Sequence, residues 1–151
     1  MPDPGTLPTD PKKEMTMTKL LGRYSEIFYA LLRIVAGWCF LLHGSGKLFG
    51  WPGDDPPVEI ASLMGLAGII EFVGGLLILL GLFASVAAFI SSGEMAVAYF
   101  ITHVGGVGDV FFPLVNRGES AVLFCFIFLY VAAKGAGKWS VAAALDKPAL
   151  S

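Results

Sequence analysis

Charged side chains are scarce in this sequence. Asp, Glu, Lys and Arg account for 15% of its 151 residues, whereas hydrophobic residues account for 56%. A soluble domain carries ~25% charged residues. Because so few charges cannot coat a surface that faces water, we expect most of the surface to face lipid. The net charge is −2, so the sequence lacks the concentrated basic face that nucleic-acid binding requires, and we predict no nucleic-acid partner.

Cysteine is also rare. Cys39 and Cys125 both lie inside apolar runs, and two such cysteines do not indicate the disulfide framework of a small secreted domain. We predict that both pack as small buried hydrophobic side chains. The alternative is a redox dithiol, which requires the two Cα atoms to come within ~7 Å of each other.

Long apolar runs, by contrast, make up most of the chain. A transmembrane helix needs ~20 apolar residues, and its backbone must satisfy its own hydrogen bonds in lipid. The runs are continuous rather than alternating, so we predict an all-α integral membrane bundle of four helices, the last of them short. The four apolar segments are 27–48, 61–82, 84–104 and 121–136. The predicted parts are a flexible cytoplasmic N-terminal tail at 1–26, a membrane domain at 27–146 and a C-terminal tail at 147–151.

The basic residues are distributed unequally between the two sides of this predicted bundle. Lys and Arg occur in both tails, whereas the connection after the first apolar segment contains Asp54, Asp55 and Glu59 and no basic residue. Basic segments that flank membrane helices remain in the cytoplasm. We therefore expect a multi-pass protein of the inner membrane with both termini in the cytoplasm. The basic residues near the two ends of the chain are Lys12, Lys13, Lys19, Arg23, Lys134, Lys138 and Lys147.

Six ionisable residues lie within or at the ends of the apolar segments. Such residues are costly in lipid, so they face a bundle interior or a cavity and often mark a functional site. We interpret them as a ligand-binding polar cluster. The alternative is that they only hold the helices together through hydrogen bonds. They are Arg33, His43, Lys47, Glu71, Glu94 and His103.

The spacing of these residues predicts how they meet. Arg33, His43 and Lys47 fall within an arc of about 80° on an ideal helix, so we expect that face to point inward. Glu71 and Glu94 fall at the same depth on adjacent helices, where two charged carboxylates would repel each other. We therefore predict that Arg33 pairs with one of these two carboxylates.

The third apolar segment presents a conflict of its own. Glu94 and His103 fall on opposite faces of an ideal helix, since the nine positions between them correspond to about two and a half turns. They can share one face only if the helix bends or ends between them. The Ser-Ser-Gly sequence at 91–93 is the predicted site of a bend.

Four motifs resemble those of the DoxX family of bacterial membrane proteins. The family's first-helix motif is matched by RIVAGWCFLLHGSGKLFG at 33–50. The resemblance covers residues 27–146, although the last motif reads on into Val141 and Ala142 instead of Leu-Asp. The other three motifs are GLAGIIEFVGGLLILLGLF at 65–83, FFPLVNRGESAVLF at 111–124 and GAGKWS at 135–140. The residues that match the family pattern are Arg33, His43, Gly44, Lys47, Glu71, Gly75, Pro113, Asn116, Gly118 and Glu119.

The resemblance implies a four-helix inner-membrane protein. Families of this kind are linked to thiosulfate:quinone oxidoreduction, to detoxification of quinones or catechols, and to thiol-stress complexes with soluble redox partners. A quinone needs an apolar slot, hydrogen-bond donors for its carbonyl oxygens and a proton route. We therefore hypothesise an oxidoreductase subunit in which His43 and Lys47 are the donors, and Glu71 and Glu94 carry protons. Further pocket candidates are Trp38, Phe40, Phe49, Asn116 and Glu119.

Two other functions fit the same pattern. One is a non-catalytic membrane anchor or scaffold for a soluble redox enzyme, in which the polar residues only stabilise the helices. The other is a small proton-coupled transporter, which would use Glu71 and Glu94 and would need a homo-oligomer because four helices enclose little space. A haem ligated by His43 and His103 is less favoured than a quinone, and we predict no metal site.

Overall fold

The structure, a computed structural model, describes residues 11–107 and 110–146. This part of the chain is helical and contains no strand. A π-helical turn at Tyr99–Val104 and a short 3-10 turn at Gly105–Val107 directly continue the fourth helix. The α-helices are α1 (Pro11–Gly22), α2 (Ser25–Phe49), α3 (Leu63–Leu80), α4 (Ala84–Ala98), α5 (Pro113–Asn116), α6 (Glu119–Lys134) and α7 (Val141–Leu145).

Three of these segments are long and apolar enough to cross a membrane: Ser25–Phe49, Leu63–Leu80 and Ala84–Val104. Their 25, 18 and 21 residues correspond to about 37, 27 and 31 Å of helix, against a hydrocarbon core of about 30 Å. The predicted fourth segment is also helical, but α6 has 16 residues, or about 24 Å. The chain is therefore a multi-pass membrane protein with three candidate spanning helices in the described residues.

The helices pack in chain order. α2 packs along α3, α3 against α4, and α4 along α6, whereas α6 touches α2 only lightly. Phe40, Ile78 and Phe128 are fully buried between them. Large apolar side chains such as Phe89 and Leu123, 66% and 63% exposed, cover the outside. An exterior of this kind needs lipid around it.

Glycines allow α2 and α3 to approach closely. A Cβ atom at Gly37 would lie 2.6 Å from the backbone nitrogen of Leu79, and one at Gly75 would lie 2.5 Å from that of Leu41. Gly44 meets the backbone of α3 in the same way. The sequence pattern of small residues thus produces backbone-to-backbone packing, as in other membrane helix pairs.

The α3–α4 connection is a tight antiparallel hairpin, as the short linker predicts. α3 begins at the cap residue Ser62, whose Oγ accepts a hydrogen bond of 3.0 Å from the Gly65 nitrogen. It ends at Gly81, which adopts φ +67°, a left-handed conformation that suits glycine. α4 then starts at Ala84, after two further residues.

Two local features lie in regions that the sequence singled out. Residues 11–22 of the predicted flexible tail form α1; residues 1–10 and 147–151 lie outside the described residues. The α-helix of α4 continues through 91–93 to Ala98, and the irregular turn between Glu94 and His103 is the π-helical turn at Tyr99–Val104. Such turns insert extra backbone into a helix and change the direction of the side chains that follow.

The molecule has two distinct ends. At one end, α2 begins, α3 ends, and the segment 135–140 folds back so that Tyr29 donates a hydrogen bond to the Gly135 carbonyl oxygen. We call this the terminal end. The opposite end, formed by the connections 50–62 and 105–118, is the loop end.

Candidate functional site

An ion pair connects α2 and α3 near the loop end. Lys47 Nζ lies 2.6 Å from Glu71 Oε1. The Lys47 side chain is 26% exposed, whereas that of Glu71 is 3% exposed. The second carboxylate oxygen, Glu71 Oε2, is buried and has no hydrogen-bond partner. One half of this carboxylate is therefore neutralised and the other half is left unsatisfied.

α4 adds two polar side chains from the opposite direction. Ser91 and Glu94 are three residues apart and lie on the same helix face. Ser91 Oγ and Glu94 Oε2 are both buried without a partner. The Ser91 hydroxyl lies 2.6 Å from the position that a Cβ atom would take at Gly74, so the missing side chain of Gly74 provides the space for this hydroxyl.

These side chains form one electrostatic unit, which we call the Glu71–Glu94 cluster: Lys47, Glu71, Ser91 and Glu94. Ser91 lies one helical turn before Glu94 on α4 and faces Gly74, which lies one turn after Glu71 on α3. Two carboxylates and one ammonium leave one net negative charge when all three groups are ionised. A buried unpaired oxygen costs ~1–3 kcal/mol, so three of them in one place favour the uptake of a proton or of a hydrogen-bond donor.

His43 opens this cluster towards the membrane surface. It precedes Lys47 by one helical turn, and its charge interacts with that of Glu71. The imidazole is exposed, and its edge meets the ring of Phe124 with centroids 5.9 Å apart. The expectation that this face of α2 points inward is therefore wrong for His43, because α2 packs tightly on α3 and only lightly on α6.

Arg33 does not pair with a carboxylate, and the predicted ion pair with Glu71 or Glu94 is wrong. Its guanidinium donates to the carbonyl oxygens of Ile78 and Leu79 at 2.5 and 2.7 Å. It also donates to the Trp139 carbonyl oxygen at 2.8 Å. The first two carbonyls lie in the last turn of α3, where helical N–H groups run out; the Gly81 nitrogen donates to the Ile78 carbonyl oxygen at 3.1 Å, and Arg33 adds a second donor. Arg33 thus stabilises the negative end of α3 and fastens the 135–140 segment to it.

His103 and Asn116 belong to a separate polar group at the loop end. His103 Nδ1 lies 3.1 Å from the Asn116 carbonyl oxygen, while Asn116 Nδ2 donates to the Val110 carbonyl oxygen at 2.8 Å. Asn116 Oδ1 accepts from the Gly118 nitrogen at 2.8 Å. These bonds fix the turn before α6. Glu119 is exposed in the first turn of α6, where a negative charge favours the helix.

The predicted aromatic lining is divided. Phe40 is fully buried, its ring 4.7 Å from that of Phe128. Trp38 and Phe49 are 46% and 60% exposed, so they contribute to the outer surface rather than to the cluster. The aromatic ring beside His43 is that of Phe124.

The two cysteines remain separate thiols. Cys39 on α2 and Cys125 on α6 are both partly buried and free. Cys125 Sγ lies 3.6 Å from Ser92 Oγ, and the same hydroxyl donates to the Cys125 carbonyl oxygen at 2.8 Å. Cys125 therefore helps to join α6 to α4.

Sequence reasoning missed Ser91 and Gly74. Ser91 was part of the sequence that suggested a bend, yet it lies three residues before an intramembrane glutamate, which is the spacing of neighbours on a helix. That spacing could have identified it. In the described residues, no group of three or more His, Cys, Asp or Glu side chains could hold a metal ion.

Comparison with known proteins places these observations in a family. The sequence model of DoxX matches residues 28–104, which contain the whole Glu71–Glu94 cluster. A protein of Haemophilus influenzae described as an uncharacterized protein is 47% identical over 130 residues, covering 83% of this chain and 93% of that protein. No solved structure gives a significant match. The chain, with its apolar helices and its matched residues from α2 to α4, belongs to the DoxX family.

Proposed function

We propose that the chain is a quinone-interacting subunit of the inner membrane, built as a four-helix bundle with both termini in the cytoplasm. His43 and Lys47 are the donors to the carbonyl oxygens of the quinone headgroup. Glu71 and Glu94 supply the protons that the reduced headgroup takes up. The observation that carries the proposal is the exposed imidazole of His43, one helical turn before the Lys47–Glu71 ion pair with its buried, unpartnered carboxylate oxygen.

The location of His43 suits a ligand that diffuses in the bilayer. Its exposed ring lies at a membrane-facing surface where α2 and α6 pack only lightly. An isolated polar side chain in that position would be unfavourable in lipid, so a polar group that reaches it from the membrane gains a hydrogen bond. The carbonyl oxygens of a quinone are such groups.

Phe124 supports the same position. Its ring is partly buried, meets His43 edge-on and stacks on Phe128 at 5.4 Å. A flat aromatic surface beside a donor is the environment that holds a planar headgroup, because rings attract each other at offset or edge-on geometry. His43 and Phe124 would therefore orient the headgroup together.

The proton chemistry matches the charge arrangement. Conversion of a quinone to a quinol takes up two electrons and two protons. In this proposal the electrons come from a soluble redox enzyme that docks on the membrane, and the chain binds the headgroup and transfers protons. Lys47 connects the two tasks, since its ammonium group bonds to Glu71 and is still partly exposed.

The test is quinone retention. The protein is incorporated in lipid nanodiscs with a defined amount of ubiquinone or menaquinone, purified again, and its quinone content is measured by mass spectrometry. We expect near-stoichiometric quinone in the wild type and a loss of at least tenfold in the His43→Ala, Lys47→Ala double variant, the change that a loss of about 1.4 kcal/mol of binding free energy produces.

His103→Ala is the matched control, because it removes the histidine that belongs to the separate polar group at the loop end. This variant should retain quinone. Equal retention by all three proteins, or none by the wild type, would contradict the proposal and favour the membrane-anchor function.

A further inference from the structure

Three buried oxygen atoms of α3 and α4 have no hydrogen-bond partner: Glu71 Oε2, Ser91 Oγ and Glu94 Oε2. Ser91 lies one helical turn before Glu94 and faces Gly74, which lies one turn after Glu71. We propose that the Glu71–Glu94 cluster binds a single proton and exchanges it with the loop end only, so that the protein stores a proton without conducting it across the membrane. This site shares Lys47, Glu71 and Glu94 with the proposed quinone site but requires no quinone.

The charge of the cluster sets the number of protons. With Lys47 ionised and the exposed imidazole of His43 neutral, one proton held by either Glu71 or Glu94 reduces the net charge of the cluster from −1 to zero. A neutral carboxyl group is less costly to bury than a second carboxylate.

The other titratable groups around the site come from α2 and α6. On α2, the charged or titratable groups that face it are Lys47 and His43. On α6, the neighbouring side chains are Phe124, which meets His43, and Cys125, whose thiol is directed to Ser92. The carboxylates themselves are the groups of α3 and α4, so one proton is sufficient for neutrality.

The route to the terminal end is closed by an apolar layer. Phe40 precedes Lys47 on α2 by seven residues, and Ile78 follows Glu71 on α3 by seven residues, which places both about 10 Å towards the terminal end. Both side chains, and Phe128 of α6, are fully buried. Apolar constrictions of this kind oppose the passage of ions.

A second barrier lies beyond this layer. Arg33, seven residues before Phe40 on the same face of α2, is fully buried and is bonded to backbone carbonyls. Among the described residues it has no carboxylate partner, so its positive charge remains to repel a hydrated proton. A fixed arginine excludes protons and cations from other membrane pores in the same way.

The loop end is open by comparison. The Lys47 side chain is 26% exposed, and Glu94 is partly exposed. Lys47 lies in the last turn of α2, directly before the connection 50–62. A proton that enters at this end therefore reaches the carboxylates without crossing the Phe40 layer.

Infrared difference spectroscopy of the protein in nanodiscs, between acid and alkaline pH, tests the proton site. We expect the C=O stretching band of a buried protonated carboxyl group, with a shift in D2O. Glu94→Gln should abolish this band, and Ser91→Ala should shift it because a buried hydroxyl dipole one helical turn from Glu94 is removed. Glu119→Gln, which changes an exposed carboxylate of α6, should leave it unchanged. A missing band in the wild type, or an unchanged band in Glu94→Gln, would overturn the proposal.

The direction of exchange is tested in proteoliposomes whose inner and outer pH are set separately, with the protein's orientation determined by protease access to residues 11–22. The carboxyl band should follow the pH of the compartment that the loop end faces. With an imposed potassium diffusion potential, proton flux should equal that of protein-free liposomes. A band that follows the other compartment, or flux above the protein-free level, would overturn one-sided exchange.

The two proposals fail separately. If the protein retains quinone but shows no carboxyl band, the quinone proposal stands and the proton proposal is wrong. If it shows the band but retains no quinone, the proton proposal stands and the quinone proposal is wrong. Should Glu94→Gln fail to fold, the Ser91→Ala variant still decides, since an unshifted band in that protein would place the protonated carboxyl elsewhere.

Discussion

Two cations, one buried and one partly exposed, lie on the same face of α2 and have different kinds of partner. Arg33 is bonded to carbonyl oxygens at the terminal end, and Lys47 is bonded to the Glu71 carboxylate near the loop end. Carbonyls are always present and never titrate, so the Arg33 contacts are permanent. The Lys47 contact leaves Glu71 Oε2 unsatisfied next to two further unpartnered oxygens. The comparison separates a structural end of the molecule from a chemically active one.

The largest effect is expected from Arg33→Met. This change removes the guanidinium that donates to the carbonyls of Ile78, Leu79 and Trp139, and removal of one member of a buried charged interaction costs ~3–5 kcal/mol. We expect a strongly lowered melting temperature in detergent, or no folded protein. Arg33→Lys should recover only part of the loss, because an ammonium lacks the planar fork that reaches several acceptors. If Arg33→Met melts at the wild-type temperature, the contacts of Arg33 at the terminal end do not stabilise the protein.

The contact between α2 and α3 should respond next. A Cβ atom at Gly37 would meet the backbone of Leu79 at 2.6 Å, so Gly37→Ala forces the helices apart at a cost of ~1–3 kcal/mol. Gly93→Ala is the matched control, since no atom of the described residues lies within 4 Å of its new methyl group. Thermal melting of both variants should show a loss for Gly37→Ala and no loss for Gly93→Ala. Equal melting temperatures for the two variants would mean that close packing of α2 against α3 does not contribute to stability.

A smaller effect is expected from Lys47→Met, because Lys47 is partly exposed and water can reach the carboxylate that it leaves behind. We expect a loss of ~1–2 kcal/mol, most of it recovered in the Lys47→Met, Glu71→Gln double variant, where no charge remains unpaired. A double-mutant cycle measured by thermal melting gives the coupling between the two residues. Zero coupling would show that the pair does not form, and the contrast with Arg33 would disappear.

The smallest effect is expected at the exposed ion pair of the terminal end. Lys134 Nζ lies 2.7 Å from Glu26 Oε1, with 26% and 43% of the two side chains exposed. Such pairs gain little, since water screens both charges. Lys134→Ala should melt with the wild type within experimental error. A clearly lowered melting temperature would mean that the stability of the terminal end depends on this exposed ion pair as well as on Arg33.

The sequence predicts the spanning segments well because their signal is local. An apolar run of helical length is contained in neighbouring residues, and the structure confirms three of the four predicted segments as helices long enough to span a membrane. The partner of Arg33 could not be predicted, because a backbone carbonyl leaves no mark in the sequence. The Lys47–Glu71 pair was not predicted, because membrane depth was estimated from Cα positions. The long lysine side chain spans the difference in depth between the two residues.

The outward position of His43 could not be predicted either. Helical periodicity tells which residues share a face, but not which neighbouring helix covers it. Arg33 and Lys47 face α3, whereas His43 lies at the edge towards α6, where packing is light. The three residues do share one face of α2, but different neighbouring helices lie against different parts of that face.

The glycine contacts between α2 and α3 also determine how the protein fits the bilayer. α2 has 25 residues and α3 has 18, so the two helices differ by about 10 Å in length. A free helix relieves such a hydrophobic mismatch by tilting. Because Gly37 and Gly75 lock the backbones of α2 and α3 together, neither helix can tilt alone. A change in bilayer thickness must therefore act on the pair as one rigid body, or deform the surrounding lipid.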